Sequence, residues 1–285
     1  MSHSFQQISI IGLGLMGGSL AKLIKQHHPT TSIFGVSRRQ ETIDKALTSG
    51  VITKGSLSIQ DLPQNTELVI ICSPISCIQT HLKEASDRLS KDVILTDIGS
   101  TKEQLCNLPF DLPNNHVFIG GHPMAGSQLT GIEHATADLL NGAPYILMKQ
   151  ETPQFTQLET FLSGLGFNVI QMTPNEHDNY VALASHIPYL MAGLTVSATN
   201  KLGPDQLQIL STLLAGGFQD TTRVASSDPN WGVDICVTNK KALKTQISNI
   251  QTQLETLSAL IDTSDTETLK QYFQTIKDQR DHLLP

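Results

Sequence analysis

The chain has 285 residues, 39% of them hydrophobic and 16% charged, with 26 acidic against 19 basic side chains and a formal charge of −7. That length exceeds what one hydrophobic core usually fills, near ~250 residues, and predicts two domains. The acidic balance excludes a general binder of nucleic acid or of anionic membranes, since either needs a basic face, while a few local arginines suffice for a small anionic ligand.

The four cysteines, Cys72, Cys77, Cys106 and Cys236, lack the paired spacings of a zinc site, so no metal is expected and the thiols read as reduced. Residues 1–7 are polar, without the basic and apolar regions of a signal peptide. No apolar run approaches the ~18 residues that span a bilayer, so a soluble cytoplasmic protein is expected.

Residues 8–11 form a short β-branched run that leads into Gly12-Leu13-Gly14-Leu15-Met16-Gly17-Gly18-Ser19 and then a helical pattern through Leu23 and Ile24. Strand, glycine loop and helix in that order are the setting in which GxGxxG denotes dinucleotide binding. Gly12 serves the tight turn, Gly14 the close approach of a pyrophosphate and Gly17 the contact of helix on strand, with Leu15 and Met16 at the helix N-terminus that faces the phosphates. A second strand, residues 32–36, ends at Ser37-Arg38-Arg39, where an NAD enzyme usually carries Asp or Glu for the ribose diol. A hydroxyl and two guanidinium groups suit a 2′-phosphate, so NADP is expected over NAD; the alternative is a pair of solvated arginines.

Residues 68–72 read as the next buried strand, ending in Ser73-Pro74, and residues 93–96 as another, ending in Asp97-Ile98-Gly99-Ser100-Thr101-Lys102. Alternation with helical stretches such as 78–89 gives the βαβ rhythm of a doubly wound parallel sheet. Strand ends in such a sheet share one edge, so the glycine loop, Ser73-Pro74, Ser100 and His122 are expected to face one crevice. His122 stands in Gly120-Gly121-His122-Pro123-Met124-Ala125-Gly126-Ser127, directly after the apolar run 117–119, and is expected in a loop at a strand end. Its imidazole, with a pKa near ~6.5, can exchange a proton at neutral pH; the other reading is a tight turn whose histidine satisfies a carbonyl. Residues 144–148 read as the last strand of this domain and 149–153 as a polar boundary. The expected division is a Rossmann-type α/β domain over 1–152 and a mainly helical substrate and dimerisation domain over 153–285.

After one more strand signal over 164–170 the pattern is helical to the end. Residues 179–199 are apolar on nearly every face, which predicts a buried helix kinked near Pro188 and carrying Ser185 and His186. The default for a histidine in so apolar a helix is a hydrogen-bonded core residue. Gly216-Gly217-Phe218-Gln219-Asp220-Thr221-Thr222-Arg223 predicts a loop ending in an arginine that clamps a carboxylate, forms a salt bridge or lies solvated. Leu243, Ile247, Ile250, Leu254, Leu257 and Ile261 are spaced four, three, four, three, four. Such a heptad seam wants a partner helix, from this chain or from a second subunit, and an isologous homodimer is the expectation.

On these residues the chain resembles the prephenate and arogenate dehydrogenases of tyrosine biosynthesis, the cyclohexadienyl dehydrogenases, over essentially its full length. The motifs that carry the resemblance are the glycine loop 12–19, the segment 97–102, Gly120 to Ser127, Glu176-His177-Asp178, Ser185-His186-Ile187-Pro188 and the segment 216–223. The resemblance implies a cyclohexadiene substrate with a 4-hydroxyl and a ring carboxylate, oxidised by hydride transfer from C4 to the nicotinamide with loss of carbon dioxide. It implies a catalytic role for His122, a hydroxyl contact for Ser100, and substrate contacts for His186 and Arg223, with Ser185 beside them. Two departures matter. Tyr189 stands where many prephenate-specific members have a second histidine, and Ser37-Arg38-Arg39 is similar to the NADP-using, arogenate-type bacterial members, which leans the expectation toward arogenate or both substrates. A regulatory ACT domain or chorismate mutase domain has no room beside the two expected domains, so tyrosine feedback is expected to act at the active site.

Two rivals remain at this stage. A β-hydroxyacid dehydrogenase of the 6-phosphogluconate or 3-hydroxyisobutyrate type needs a lysine on the long helix, and none occurs there before Lys201. A non-catalytic NADP-binding sensor has no use for the polar set His122, Ser100, His186 and Arg223.

Overall fold

A computed structural model describes residues 5–109, 112–127 and 129–284; the first four residues of the polar start lie outside them. By compactness the chain forms two units, Met1–Lys240 and Lys241–Pro285.

In the first unit, β1 (Gln7–Ile11), β2 (Ser32–Val36), β3 (Lys54–Ser56), β4 (Leu68–Ile71), β5 (Ile94–Asp97) and β6 (Val117–Ile119) form one sheet in the order β3-β2-β1-β4-β5-β6. Every neighbouring pair is parallel. Parallel strands need crossovers, supplied by helices such as α1 (Leu15–His27), α2 (Gln40–Thr48) and α3 (Ile75–Arg88), and α4 (Glu103–Cys106) follows β5. Helices on both faces explain why the central strands are apolar throughout rather than alternating. Ile8 and Ile10 pack with Leu20, Leu23 and Ile24 of α1, whereas Ile11, Val69 and Ile71 pack with Ile78, Leu82 and Ala85 of α3. This is the expected doubly wound α/β sheet, and its strand order reverses between β1 and β4, where a crevice opens at the C-terminal edge.

A second, three-stranded sheet joins β7 (Gly121–Pro123), β8 (Pro144–Met148) and β9 (Asn168–Met172), with β7 antiparallel and β9 parallel to β8. His122, expected in a loop, therefore lies mid-strand, in register with Ile146. Three residues are too few to display a strand period, so only the pairing with β8 defines β7. The helix α5 (Pro153–Gly164) starts at Thr152, whose hydroxyl accepts the Phe155 N–H. Its Phe155, Leu158, Phe161 and Leu162 enter the same core as β1 and Tyr145, so residues 153–172 pack with the sheets although composition suggested a change of domain at 152.

The helical part opens with α6 (Pro174–Val181), begun by a capping box between Thr173 and Glu176. One π-helical turn, Ala182–His186, then leads into α7 (Ile187–Ser197). Pro188 has no N–H to give and crowds the carbonyl of Ala184, so the expected kink takes the form of a widened turn. Next come α8 (Pro204–Leu213), α9 (Gly216–Thr222) and a 3-10 turn, Arg223–Ser226, followed by α10 (Pro229–Thr238) with Asp228 at its N-cap. The expected loop at 216–223 is thus a helix that carries Arg223 at its end. The expected burial of 179–199 is also corrected: Val181, Ile187 and Ala192 are buried, but Leu183, Leu194 and Val196 are exposed. The continuous stretch Pro174–Lys201, which contains an 18-residue segment of mean hydropathy 1.4, is long and apolar enough by length and composition to cross a membrane, contrary to the expectation that no such run exists.

In the second unit, α11 (Lys240–Thr263) passes through Ser264, at φ +55°, into α12 (Thr266–Leu283), which Asp265 caps. Leu254 and Ile261 of the heptad seam are exposed, as are Phe273 and Ile276 of α12.

Candidate active site

The glycine loop fits a dinucleotide on three contacts. Gly12 has φ +103°, and a Cβ there would stand 2.6 Å from the Cys72 carbonyl oxygen. A Cβ on Gly17 would stand 2.0 Å from the Gly12 oxygen, so α1 lies against the loop with no room for a side chain. At Gly14, by contrast, a Cβ would meet nothing within 4 Å: the backbone faces open space at the start of α1, which no side chain caps. Free N–H groups and a positive helix end beside an open approach are what a pyrophosphate requires.

That open space is a cleft of about 730 Å³, and it gathers most of the residues singled out in the sequence. Gly14, Leu15, Met16, Ser73, Pro74, Ser100, His122, Ser185 and Arg223 line it. Gly12 and Gly17 shape the loop behind the lining. Ser37, Arg38 and Arg39 lie outside the lining, at the end of β2, where both arginines are exposed and neither makes an ion pair among the described residues. His186 is fully buried and does not line the cleft. Its Nδ1 meets the Asn239 side-chain amide at 3.2 Å, while its Nε2 is enclosed with no partner.

His122 is 8% exposed. Its Nδ1 lies 2.9 Å from Nε2 of His177, and Nδ1 of His177 lies 2.7 Å from Oδ1 of Asp178. Asp178 also accepts the backbone N–H groups of Lys102, at 2.7 Å, and of Glu103, at 2.9 Å, thereby capping the short α4. Beneath this chain Lys102 donates to Asp97, both wholly buried, and Asp97 accepts the N–H groups of Gly99 and Gly121 as well. A buried pair of this kind is hard to break, at ~3–5 kcal/mol for removing one partner, and here it ties the end of β5 to the strand that carries His122.

Burial, followed by the fields of His177, Lys102 and His186, pushes the His122 pKa well below the usual imidazole value. Burial also lowers His177, against the opposing pull of Asp178, and lowers His186 to about 4. His122 is therefore a neutral imidazole at pH 7, able to accept a proton. Desolvation pushes up the half-buried thiols of Cys72 and Cys106, Cys106 to about 12, so neither is a thiolate nucleophile. Ser100 accepts a hydrogen bond from the Trp231 indole at 3.0 Å, which leaves its own proton to donate into the cleft. Tyr189 packs edge-on against Trp231, with ring centroids 5.0 Å apart, and both line the cleft.

The sequence indicated His122, Ser100 and Arg223 but gave no roles to His177, Asp178, Asn239 or Trp231. For His177 and Asp178 the signal was their place in the motif Glu176-His177-Asp178, next to an apolar helix.

Residues 20–171 match the family described as prephenate dehydrogenase, nucleotide-binding domain, and residues 173–275 match prephenate dehydrogenase, dimerization domain. The chain belongs to the prephenate dehydrogenase family. A relative named prephenate dehydrogenase from Bacillus subtilis is 33% identical over 99% of this chain and 77% of its own length. Among solved structures, prephenate dehydrogenase from Aquifex aeolicus in complex with hydroxyphenyl propionate and NAD+ is 30% identical, with a TM-score of 0.91 over 99% of this chain and 100% of that one. Synechocystis arogenate dehydrogenase is 31% identical, with a TM-score of 0.82 over 98% and 100% of the two chains. As a member of the prephenate dehydrogenase family the protein is a nicotinamide-dependent oxidoreductase. The β-hydroxyacid rival falls with this assignment, consistent with a helix Pro174–Lys201 that carries no lysine before its last residue.

Proposed function

We propose that the protein catalyses the oxidative decarboxylation of prephenate, arogenate or both with hydride transfer to NAD(P), giving 4-hydroxyphenylpyruvate or tyrosine. The observation that carries this reading is a buried, neutral His122 lining the same cleft as Ser100, Arg223 and the open backbone at Gly14. When bound, the nicotinamide supplies the acceptor for the hydride from ring C4. As that hydride leaves, the 4-hydroxyl takes on carbonyl character and its proton moves to Nε2 of His122. Loss of the ring carboxylate as carbon dioxide returns an electron pair to the ring, and the oxygen takes its proton back as the ring becomes aromatic. Ser100 donates to the 4-oxygen or orients it, and Arg223 holds a substrate carboxylate by a two-point pair. Ser185 borders the ring, while His186, enclosed behind the cleft, acts on the substrate only through the wall it supports.

The cofactor we favour is NADP. The end of β2 offers Ser37 and two exposed guanidinium groups and no carboxylate to repel a 2′-phosphate. Residues up to 172 serve the nucleotide, and the helical remainder serves the substrate and pairing into a homodimer. Tyr189, in place of a second histidine, favours arogenate or both substrates. The protein's place is the cytoplasm, in keeping with four free thiols.

Initial rates for prephenate or arogenate with NAD or NADP test the proposal. Turnover is expected in at least one NADP combination, and no turnover in any of the four would remove the activity. Replacing Arg38 and Arg39 with Ala is expected to weaken NADP far more than NAD. Equal losses would remove the NADP assignment.

A further inference from the structure

We infer that His177, oriented by Asp178, is a positioning residue that holds His122 in the tautomer with its proton on Nδ1 and a bare Nε2 toward the cleft. The inference rests on the dehydrogenation proposed above and assigns the origin of its base. The proton positions follow from groups that cannot turn round. The Lys102 and Glu103 amides donate to the two oxygens of Asp178, which makes that carboxylate an acceptor throughout. His177 must then present Nδ1–H to Oδ1 at 2.7 Å. Burial keeps His177 neutral, so its Nε2 carries a lone pair, and the group 2.9 Å away, Nδ1 of His122, must be the donor. A neutral imidazole has one N–H, so Nε2 of His122 is left bare, and His122 lines the cleft.

Without an acceptor at Nδ1 the proton is free to sit on Nε2, where His122 has no lone pair for the substrate's hydroxyl. The arrangement acts again during the reaction. When Nε2 takes the hydroxyl proton, His122 becomes an imidazolium, and its bond to His177 becomes charge-assisted, backed by the Asp178 carboxylate. No proton passes along the chain: the one on Nε2 returns to the ring oxygen and the one on Nδ1 stays. The device spans two parts of the fold, because His122 is on β7 while His177 and Asp178 are on α6. Asp178 ties α6 to α4 through the same backbone amides.

The direct test is nitrogen-15 histidine spectroscopy of the full-length wild-type protein, with the His122 signals identified by their loss in His122→Asn. At neutral pH His122 is expected to carry its proton on Nδ1. A proton on Nε2 would overturn the inference even if the protein turns over substrate, whereas a wild type without turnover would instead strike the proposed activity. Kinetics give a second arm. His177→Leu is expected to lower kcat roughly tenfold or more, a part of the ~10²–10⁴ that a positioned base contributes, with substrate KM and cofactor affinity little changed. His177→Gln, whose amide oxygen can stand near the lost Nε2, is expected to regain most of that loss. An unchanged kcat in the leucine variant, or equal defects in both variants, would overturn the role. If either variant fails to fold, the wild-type spectrum alone decides.

Discussion

Three buried histidines, His122, His177 and His186, make the site's chemistry depend on pH and the fold's stability with it. Each is lowered from the usual value of 6.5 by burial, His186 to about 4. Between those values the unfolded chain binds protons that the folded chain refuses, so stability is full above pH 6.5 and falls as the pH drops toward about 4. The thermal midpoint is expected to decline over that window, before most carboxylates titrate. A midpoint that stays flat down to pH 4.5 would contradict the burial of these rings in neutral form. The sequence pointed to His122 through its glycine and proline neighbours, and by resemblance placed His186 on the substrate, with a hydrogen-bonded core residue as the default; here His186 is buried and outside the cleft lining. It gave His177 a place in a motif but no role, because a bond between residues 122 and 177 depends on how β7 and α6 meet, and no local pattern encodes that meeting.

Among the elements, the strand–glycine loop–helix unit is the most legible, since each glycine answers a steric demand. Gly14 and Gly17 separate the two demands. Gly17→Ala pushes a methyl group against the Gly12 oxygen, and overpacking of this kind costs ~1–3 kcal/mol, so a lower thermal midpoint is expected together with weaker cofactor binding. Gly14→Ala meets no protein atom, so its midpoint is expected to match the parent while cofactor affinity falls. A Gly14→Ala variant that binds the cofactor like the parent would mean that the pyrophosphate does not approach there. Strands β1, β2, β4 and β5 were readable as apolar runs of four or five residues, whereas β3, Lys54–Ser56, has no apolar run and was not read. Less readable were β7, too short to show a period, the π turn that Pro188 imposes on the carbonyl of Ala184, and α9, whose paired glycines look like a loop but open a helix.

At the scale of the whole molecule, the helical part has apolar side chains exposed among the described residues. Leu194 of α7, Ile209 and Leu213 of α8, and Val233 and Val237 of α10 are all exposed. In the proposed homodimer a second copy is expected to cover these side chains, which would also explain why the helix Pro174–Lys201 contains a stretch apolar enough to resemble a membrane span. Light scattering is expected to give twice the chain mass for the parent and a smaller species for Ile209→Asp combined with Leu213→Asp. A monomeric parent would refute the pairing. The heptad seam led the sequence reading to expect a partner, but the apolar helix 179–199 was read as core, because composition alone does not tell which apolar faces the chain itself covers.

The central claim is that His122 is the base for the 4-hydroxyl proton. The most direct measurement is turnover by His122→Asn beside a cofactor titration of the same variant. Turnover is expected to fall by ~10²–10⁴ with cofactor affinity nearly unchanged. Near-normal turnover would contradict the assignment and return His122 to a structural role in β7.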